Sequence, residues 1–321
     1  MKHGKRSFMI TEAILGILVI LVLGFIIYNK NGRDPETIAV IIPDVDESQW
    51  SAFKYGLKMA AREYDADILI ISKDNMETAN DEIEIINQEI VKGADAVIVK
   101  PIANRDGQQK LNQLEKRVPI MVVGDTFPEE PSGLHTIEPD HYHMGVDLAK
   151  KLLENYRGNL IGKKIGIYSQ YATEAVIKRN KGICDTLKGS GAEILWSVSK
   201  ENDSKEKINL QTQRRVDIVM ALDNASFVEA GEAAKDNDLN GAVLYGIGNS
   251  TEAIYYLDAG WAQCLVVPDE FDTGYESVAE LIKKRRNFFY KMKDRQVTHT
   301  VLTRENLFSE ENRNLMFTIS R

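Results

Sequence analysis

The chain has 321 residues, of which 43% are hydrophobic and 27% are charged, and its formal net charge is −8. Such an acidic chain is poorly suited to wrapping nucleic acid, which requires clustered Lys and Arg. Its length exceeds what one small core needs and predicts two lobes of roughly 130 residues each. The two cysteines, Cys184 and Cys264, allow one disulfide bond, and the sequence leaves open whether it forms.

The N-terminal segment, up to Lys30, indicates a membrane anchor. A basic flank, residues 1–6, precedes an apolar run from Ala13 to Tyr28. With the apolar residues before it, the run approaches the roughly 20 residues that span a bilayer as a helix. The basic flank places the N-terminus in the cytoplasm, and bulky residues stand where a signal peptidase needs small ones. We therefore expect an uncleaved single-pass anchor in the cell membrane, with everything after Asn29 extracytoplasmic.

After a polar linker, residues 29–36, short apolar strands alternate with amphipathic helices. The first predicted unit has strands at 37–42, 66–72, 94–101 and 118–125 and helices at 49–64, 78–92 and 105–117. The strands are β-branched apolar runs, which is typical of strands buried on both faces. Such alternation predicts βαβ units and a parallel sheet.

The same rhythm restarts after residue 140. The second predicted unit has helices at 142–157, 174–188, 203–214, 225–236 and 251–259 and strands at 163–169, 192–198, 216–222, 241–248 and 262–268. A helical segment at 270–294 and a strand at 299–303 follow. The predicted fold class is therefore α/β, with two tandem doubly wound parallel-sheet lobes after one transmembrane helix.

Polar loops follow many of the predicted strands. In open parallel sheets, ligands bind at the carboxyl ends of the strands, and two facing sheets form a cleft lined by these loops. We therefore expect a small polar ligand between the lobes. The polar loops are residues 43–50, 100–105, 124–127, 169–173, 223–224 and 248–250.

The sequence predicts a binding protein rather than an enzyme, with no catalytic residues, metal site or cofactor. No nucleophile elbow, zinc-protease motif, phosphate-binding loop or dinucleotide fingerprint stands at a strand end. His141 and His143 are the nearest approach to a metal site. On a helix they would point about 200° apart and could not easily share one ion.

Five segments carry a resemblance to a known family. They are TIAVIIPDVDESQW at 37–50, KGADAVIVKP at 92–101, VPIMVVGDT at 118–126, KRNKGICDTL at 178–187 and MALDNASFVEAGEAA at 220–234. In this order and spacing they resemble the type I periplasmic binding proteins of the ribose- and galactose-binding kind. DNA-binding repressors share that two-lobed architecture, but this chain has an apolar run where they carry a helix-turn-helix.

The resemblance implies a three-segment hinge between the lobes. Crossings are expected near residues 138–141, 267–270 and 296–300. Lobe one would then comprise residues 36–139 plus 270–297, and lobe two residues 140–268 plus 298–321. The family also implies closure of the lobes on the ligand about these segments.

The resemblance further implies a set of ligand-binding residues. Asp125 matches a carboxylate that accepts hydrogen bonds from sugar hydroxyls, and Trp50 matches an aromatic residue that stacks on the sugar ring. Asp46 and Asp223 fall where relatives have Asn. The remaining candidates are Gln49, Thr126, Tyr168, Gln170, Tyr171, Arg179, Asn224 and Asn249.

Three positions depart from the family pattern and leave the ligand open. Ile177 stands near the family's sugar-binding arginine, for which only Lys178 or Arg179 could substitute. Gly248 replaces a second-lobe aspartate, and Val266 begins the segment where relatives place a glutamine. A pentose, a hexose or a non-sugar ligand is compatible with these changes.

Two roles fit a tethered binding protein. In the first, the loaded protein delivers its ligand to an ABC transporter permease. In the second, it acts as a sugar sensor that signals to a partner histidine kinase. We take delivery of a small polar ligand, a sugar, to the permease as the prediction and keep sensing as the alternative.

Overall fold

The computed structural model describes residues 14–24, 35–43, 47–73, 78–102, 105–124, 127, 133–200 and 208–319. The chain divides into one unit that ends at Glu36 and a second that begins at Thr37. In the first unit, residues 14–24 form a helix of Ile, Leu, Val and Gly with exposed side chains. Across the described part of the chain, every helix falls short of the length or apolarity needed to cross a membrane. Both ends of the predicted anchor lie outside the described residues.

The second unit begins with alternating strands and helices. Up to Pro139 its elements are β1 (Glu36–Pro43), α1 (Ser51–Tyr64), β2 (Ala66–Lys73), α2 (Ala79–Lys92), β3 (Ala96–Val99), α3 (Arg105–Leu114), β4 (Ile120–Val123) and β5 (His135–Pro139). A one-turn 3₁₀ helix, Glu47–Trp50, precedes α1.

The alternation continues from His141 to the C-terminus. The elements are α4 (His141–Asn155), β6 (Lys164–Tyr171), α5 (Glu174–Leu187), β7 (Glu193–Lys200), β8 (Ile218–Ala221), α6 (Asn224–Lys235), β9 (Val243–Ile247), α7 (Thr251–Asp258), β10 (Ala262–Pro268), α8 (Glu270–Arg286), β11 (Arg295–Val297), β12 (His299–Leu302) and α9 (Arg313–Ile319).

These elements build two six-stranded sheets. The strand orders are β11-β5-β4-β3-β1-β2 and β12-β10-β9-β8-β6-β7. The neighbouring strands with a described residue register pair in parallel, except that β12 runs antiparallel to β10. Short strands such as β3 and β4 are buried along their whole length, as expected of sheets with helices on both faces. The predicted α/β class with two parallel-sheet lobes is confirmed.

The chain passes between the sheets after β5, after β10 and between β11 and β12. The crossing segments are hydrogen-bonded to one another: Asp140 N donates to Val297 O (3.4 Å) and Asp269 N to Thr298 O (3.0 Å). Asp140 and Asp269 also cap the helices that follow, α4 and α8. An aspartate side chain at this position satisfies a free helix N–H, which starts each helix directly after its crossing.

Two helix pairs pack with their backbones almost touching. A Cβ atom on Gly145 of α4 would lie 2.0 Å from Arg179 O of α5, and one on Gly182 would lie 2.2 Å from Tyr142 O. The pair α1 and α8 has the same arrangement, since a Cβ atom on Gly56 would lie 2.1 Å from Phe271 O. Only glycine permits this approach, because any side chain would overlap the facing backbone.

Two sequence predictions about helices are wrong. Of the helix predicted at 203–214, residues 203–207 lie outside the described chain, and the rest has only a single 3₁₀ turn, Leu210–Thr212. The Asn209 side chain accepts the Gln211 N–H there (2.9 Å) and competes with helix formation. The helix predicted at 270–294 ends at Arg286, where Asn287 Oδ1 accepts the Phe289 N–H (3.0 Å).

The two cysteines are free thiols. Cys264 is fully buried in lobe two, where burial raises the pKa of its thiol to about 12. Cys184 is partly buried in α5, and burial also raises the pKa of its thiol. Both groups therefore remain protonated at neutral pH and behave as small apolar residues.

Candidate functional site

The crossings bring charged side chains from distant parts of the chain into one cluster. Lys100 follows β3, and Glu270 begins α8 directly after the second crossing. Lys100 and Arg179 both act electrostatically on His141 and on Glu270. We call Lys100, His141, Arg179 and Glu270 the crossing cluster. Its members come from both lobes, so it lies where a ligand between the lobes would bind.

His141 is the most buried member of the cluster, with 2% of its surface exposed. Arg179 donates to His141 Nδ1 from Nε (3.3 Å) and lies 3.2 Å from it through Nη2. Arg179 Nη1 also donates to the Leu222 carbonyl oxygen (2.6 Å) at the end of β8. Arg179 therefore ties α5 to both α4 and the second sheet.

The cluster holds His141 neutral. Burial lowers the pKa of the imidazole well below its usual range, and the charges of Arg179, Lys178 and Lys100 lower it further. With Nδ1 accepting from Arg179, the imidazole proton belongs on Nε2, which lies 3.6 Å from Glu138 Oε2. The neutral ring thus lies between the Arg179 guanidinium and the Glu138 carboxylate.

Glu270 supplies an acceptor on the lobe-one side. Burial raises the pKa of its carboxyl, while nearby Lys100 and Arg179 lower it. Its side chain keeps some solvent exposure despite the dense surroundings. A carboxylate flanked by two cations can accept hydrogen bonds from ligand hydroxyls while the cations donate to ligand oxygens.

Trp50 lies against the cluster, but not as an open stacking platform. It is 5% exposed and packs edge-on against Phe53, with ring centroids 5.7 Å apart. Lys100 Nζ lies over its ring, 4.9 Å from the centroid. Among the described residues, no acceptor reaches the buried indole Nε1. Stacking of Trp50 on a sugar remains a prediction.

In lobe two, Tyr168 differs from the cleft-lining residue expected from sequence. Its side chain is fully buried, and its hydroxyl donates to Glu229 Oε2 (2.5 Å). Burial and Glu229 together raise the pKa of this phenol. Gln170 Nε2 donates to the same Glu229 oxygen (2.7 Å). In this structure Tyr168 and Glu229 therefore position Gln170.

Asp223 and Asn224 hold the strand ends of lobe two together. Asp223 accepts the N–H groups of Ser226 and Gln170, each at 2.8 Å. Asn224 Oδ1 accepts hydrogen bonds from Asn249 N (3.0 Å) and from Ser250 N (3.1 Å). These contacts join the end of β6 to the segments that follow β8 and β9, so both residues shape the site.

Two polar contacts join residues of the two lobes. Asn249 Nδ2 donates to the Gln49 carbonyl oxygen (3.1 Å), and Ser48 Oγ donates to Glu252 Oε2 (2.7 Å). Tyr171 is exposed at the end of β6. Asp46, Asp125 and Thr126 lie outside the described residues, so their predicted roles remain predictions.

The structure brings to the site several residues that were not predicted from the sequence. For Lys100, His141 and Glu270, the available signal was a charged or imidazole side chain directly after a strand end or a capping aspartate. Glu138 within β5 and Glu229 within α6 carry no such signal. Within the described residues, no group of three or more His, Cys, Asp or Glu side chains is arranged to hold a metal ion. The residues missed are Lys100, Glu138, His141, Glu229 and Glu270.

The family model of the periplasmic binding protein domain matches residues 38–285. The chain therefore belongs to the periplasmic binding protein family, and its fold is that of the type I members. Members of this family bind solutes and are not enzymes, so the prediction of a binding protein is confirmed. A search of the curated proteins finds no match.

Solved structures repeat the fold over nearly the whole chain. A carbohydrate transporter solute-binding protein from Agrobacterium radiobacter, in complex with D-arabinose, has a TM-score of 0.77 at 15% identity, covering 88% of this chain and 99% of that chain. An ABC transporter solute-binding protein from Bacillus halodurans with bound myo-inositol has a TM-score of 0.72 at 18% identity, covering 89% and 100%. A glucose-galactose binding protein from Geobacillus stearothermophilus has a TM-score of 0.72 at 15% identity, covering 86% and 100%.

Proposed function

We propose that this protein is an extracytoplasmic solute-binding protein that captures a small polar ligand, of the sugar class, between its two lobes. The observation that supports this most is the crossing cluster, where cationic donors and a carboxylate acceptor from both lobes converge. A sugar has a polar rim of hydroxyls, each able to donate and accept. Charged partners make the stronger hydrogen bonds to such groups, so Lys100, Arg179 and Glu270 suit the rim.

Two structural neighbours support a role in transport. The arabinose-binding neighbour is described as part of a carbohydrate transporter, and the inositol-binding neighbour as part of an ABC transporter. We favour delivery to an ABC transporter permease for this reason. The sensing alternative, with a histidine kinase as partner, has no support from these relatives.

The proposal includes a membrane tether at the N-terminus. Residues 14–24 are helical and wholly apolar apart from two glycines, with their large side chains exposed. Exposed Ile, Leu and Val in such a run are costly in water, and hydrocarbon removes that cost. The predicted run from Ala13 to Tyr28 would extend this helix toward membrane-spanning length.

The binding site is tested by thermal shift on the full chain in detergent. D-arabinose, D-tagatose, D-allose, D-galactose and myo-inositol are the probes, and a true ligand raises the melting temperature by mass action. We expect Glu270→Gln and Arg179→Lys to weaken the affinity for that ligand at least about 10-fold. Glutamine lacks the charge of the carboxylate acceptor, and lysine lacks the planar fork by which the guanidinium donates in several directions.

The control for these variants is Lys235→Ala, an exposed change at the end of α6, which should leave affinity unchanged. No melting shift with any probe would contradict a sugar ligand. Unchanged affinity in both cluster variants would place the site elsewhere.

We also propose that the lobes close about the three crossings, with the Ser48–Glu252 contact favouring the closed arrangement. Ser48→Ala removes one exposed hydrogen bond worth about 0.5–1 kcal/mol, which lowers the closed-to-open ratio roughly 2- to 5-fold. Small-angle X-ray scattering should detect a larger mean radius of gyration. Ser197→Ala, an exposed change on β7, is the control and should leave the radius unaltered. An equal radius for both variants would argue against the contact having any role in closure.

A further inference from the structure

The last turn of α8 and the residues that follow it are strongly basic, unlike the rest of the protein. Residues 283–293 read KKRRNFFYKMK and contain six basic residues and no acidic ones, in a chain whose net charge is −8. We call it the basic-aromatic segment. No part of the binding site described above uses it.

Two neighbouring phenylalanines project from this segment into solvent. Phe288 is 85% exposed and Phe289 is 88% exposed, and their rings meet edge to face at 5.5 Å. Large apolar side chains this exposed, side by side, are a recognised mark of an interaction surface.

The turn that carries the phenylalanines is held in place. Lys284 Nζ donates to the Tyr290 carbonyl oxygen (3.0 Å), and the Tyr290 hydroxyl donates to Glu280 (2.8 Å). The Asn287 side chain accepts the Phe289 N–H (3.0 Å). These contacts present the two rings on a braced turn, with the exposed Lys291 beside them.

The basic-aromatic segment lies at the end of lobe one where β1 begins. Arg285 Nη2 pairs with Asp95 Oδ1 (2.5 Å), and Asp95 Oδ2 accepts the Thr37 N–H (3.0 Å). From Thr37 the strand β1 runs towards the cleft at its carboxyl end, Pro43, a distance of about 20 Å at the rise of a β-strand. The segment and the binding site are therefore at opposite ends of lobe one.

A basic hollow extends this surface. Arg286 donates to the carbonyl oxygens of Tyr64 and Asp65 at the end of α1. Asp65 also lines a shallow hollow with Lys58 and Arg62. The hollow thus adds the cationic side chains of Lys58 and Arg62, beside the carboxylate of Asp65, to this end of lobe one.

We infer that the basic-aromatic segment docks lobe one onto an anionic lipid bilayer. The inference rests on the proposed tether, which would place a membrane-inserted helix before Thr37. The polar linker 29–36 spans at most about 28 Å, so the start of β1 must lie close to that membrane. Basic side chains bind anionic headgroups, and aromatic rings insert at the headgroup level. The segment supplies both at the required place.

Docking has a consequence for ligand capture. Only lobe one carries the basic-aromatic segment, so lobe two remains free to move about the crossings. The cleft lies at the other end of β1, where solute can reach it while lobe one is docked.

The test uses the full chain reconstituted into vesicles of phosphatidylcholine with phosphatidylglycerol as the minor lipid, or of phosphatidylcholine alone. Flotation after a high-salt wash reports the tether, and amide hydrogen exchange reports docking. We expect exchange of residues 287–293 to slow at least about fivefold in the anionic vesicles only. Phe288→Ser with Phe289→Ser, and separately Lys291→Glu, should abolish this protection without loss of flotation.

The controls are Phe308→Ser, at a position 71% exposed in the C-terminal part of the chain, and Lys188→Glu at the end of α5. Both should keep the protection. Flotation without protection overturns docking and leaves the tether standing. Protection only when other membrane proteins are present identifies an acidic protein partner and overturns the lipid assignment.

A washed chain that fails to float contradicts the tether. In that case, docking is supported only if the chain binds anionic vesicles at low salt and the Phe288 and Phe289 changes remove this binding. Absence of that binding overturns docking as well.

Discussion

Replacing Gly145 with alanine is expected to destabilise the fold by about 3 kcal/mol, as overpacking against a rigid neighbour does. The new Cβ atom would lie 2.0 Å from the Arg179 carbonyl oxygen, and backbone cannot rotate away as a side chain can. The helices α4 and α5 must separate, which outweighs the roughly 1 kcal/mol that alanine gains over glycine in a helix. Urea unfolding monitored by circular dichroism measures the change.

Two further variants sharpen this prediction. Gly182→Ala should cost a similar amount, and the double variant should cost less than the sum, because separating the helices once relieves both overlaps. Gly16→Ala is the matched control, since no atom lies within 4 Å of its Cβ position. A Gly145→Ala protein as stable as the parent would mean that α4 and α5 do not approach as described. The displaced Arg179 should also reduce ligand affinity.

Replacing Glu82 with glutamine is expected to stabilise the protein above neutral pH. Burial raises the pKa of this carboxyl to about 8, against an ordinary value of 4.5, although it accepts the Ile102 N–H. Ile102 N lies 3.1 Å from Glu82 Oε1, while no described group bonds the buried Oε2. The charged form is therefore unfavourable in the folded protein.

The pH dependence has a definite sign. The folded state holds a proton that the unfolded chain releases above about pH 4.5, so this carboxyl's favourable contribution is lost as pH rises towards 8. Glutamine removes the titration, and we expect a gain of about 2–4 kcal/mol at pH 9 and little change at pH 4.5. Urea unfolding at pH 4.5, 7 and 9 measures it.

The control is Glu84→Gln, an exposed change on the same helix, for which no growing gain with pH is expected. A Glu82→Gln gain that does not increase between pH 4.5 and 9 would show that Glu82 is charged and solvated in the folded protein.

Local sequence patterns were sufficient for most of the α/β framework. Strands such as β1 and β3 are continuous β-branched runs, which only a strand buried on both faces accommodates. The strands β5 and β11 were missed because HTIEP and RQV carry no such run. They form because β4 offers β5 an unpaired edge, and β5 then offers one to β11.

The candidate site was likewise predicted only in part from the sequence. Strand-end loops located Gln170, Asp223 and Asn249 from sequence, because parallel strands end at one edge of their sheet. The further roles of Asp223 as a helix cap and of Tyr168 as a buried support depend on which neighbours the fold supplies. Local patterns carry no information about such partners.

What the sequence determined by itself is the two-lobed architecture, its family and the edge of each sheet where ligand would bind, since periodicity and turn chemistry are local properties. Only the tertiary structure decided that Lys100, His141, Arg179 and Glu270 form one cluster. Their proximity depends on three chain crossings, which join positions as far apart in the sequence as Lys100 and Glu270. Burial and charge at such a meeting point arise from the assembled fold, so no short stretch of sequence encodes them.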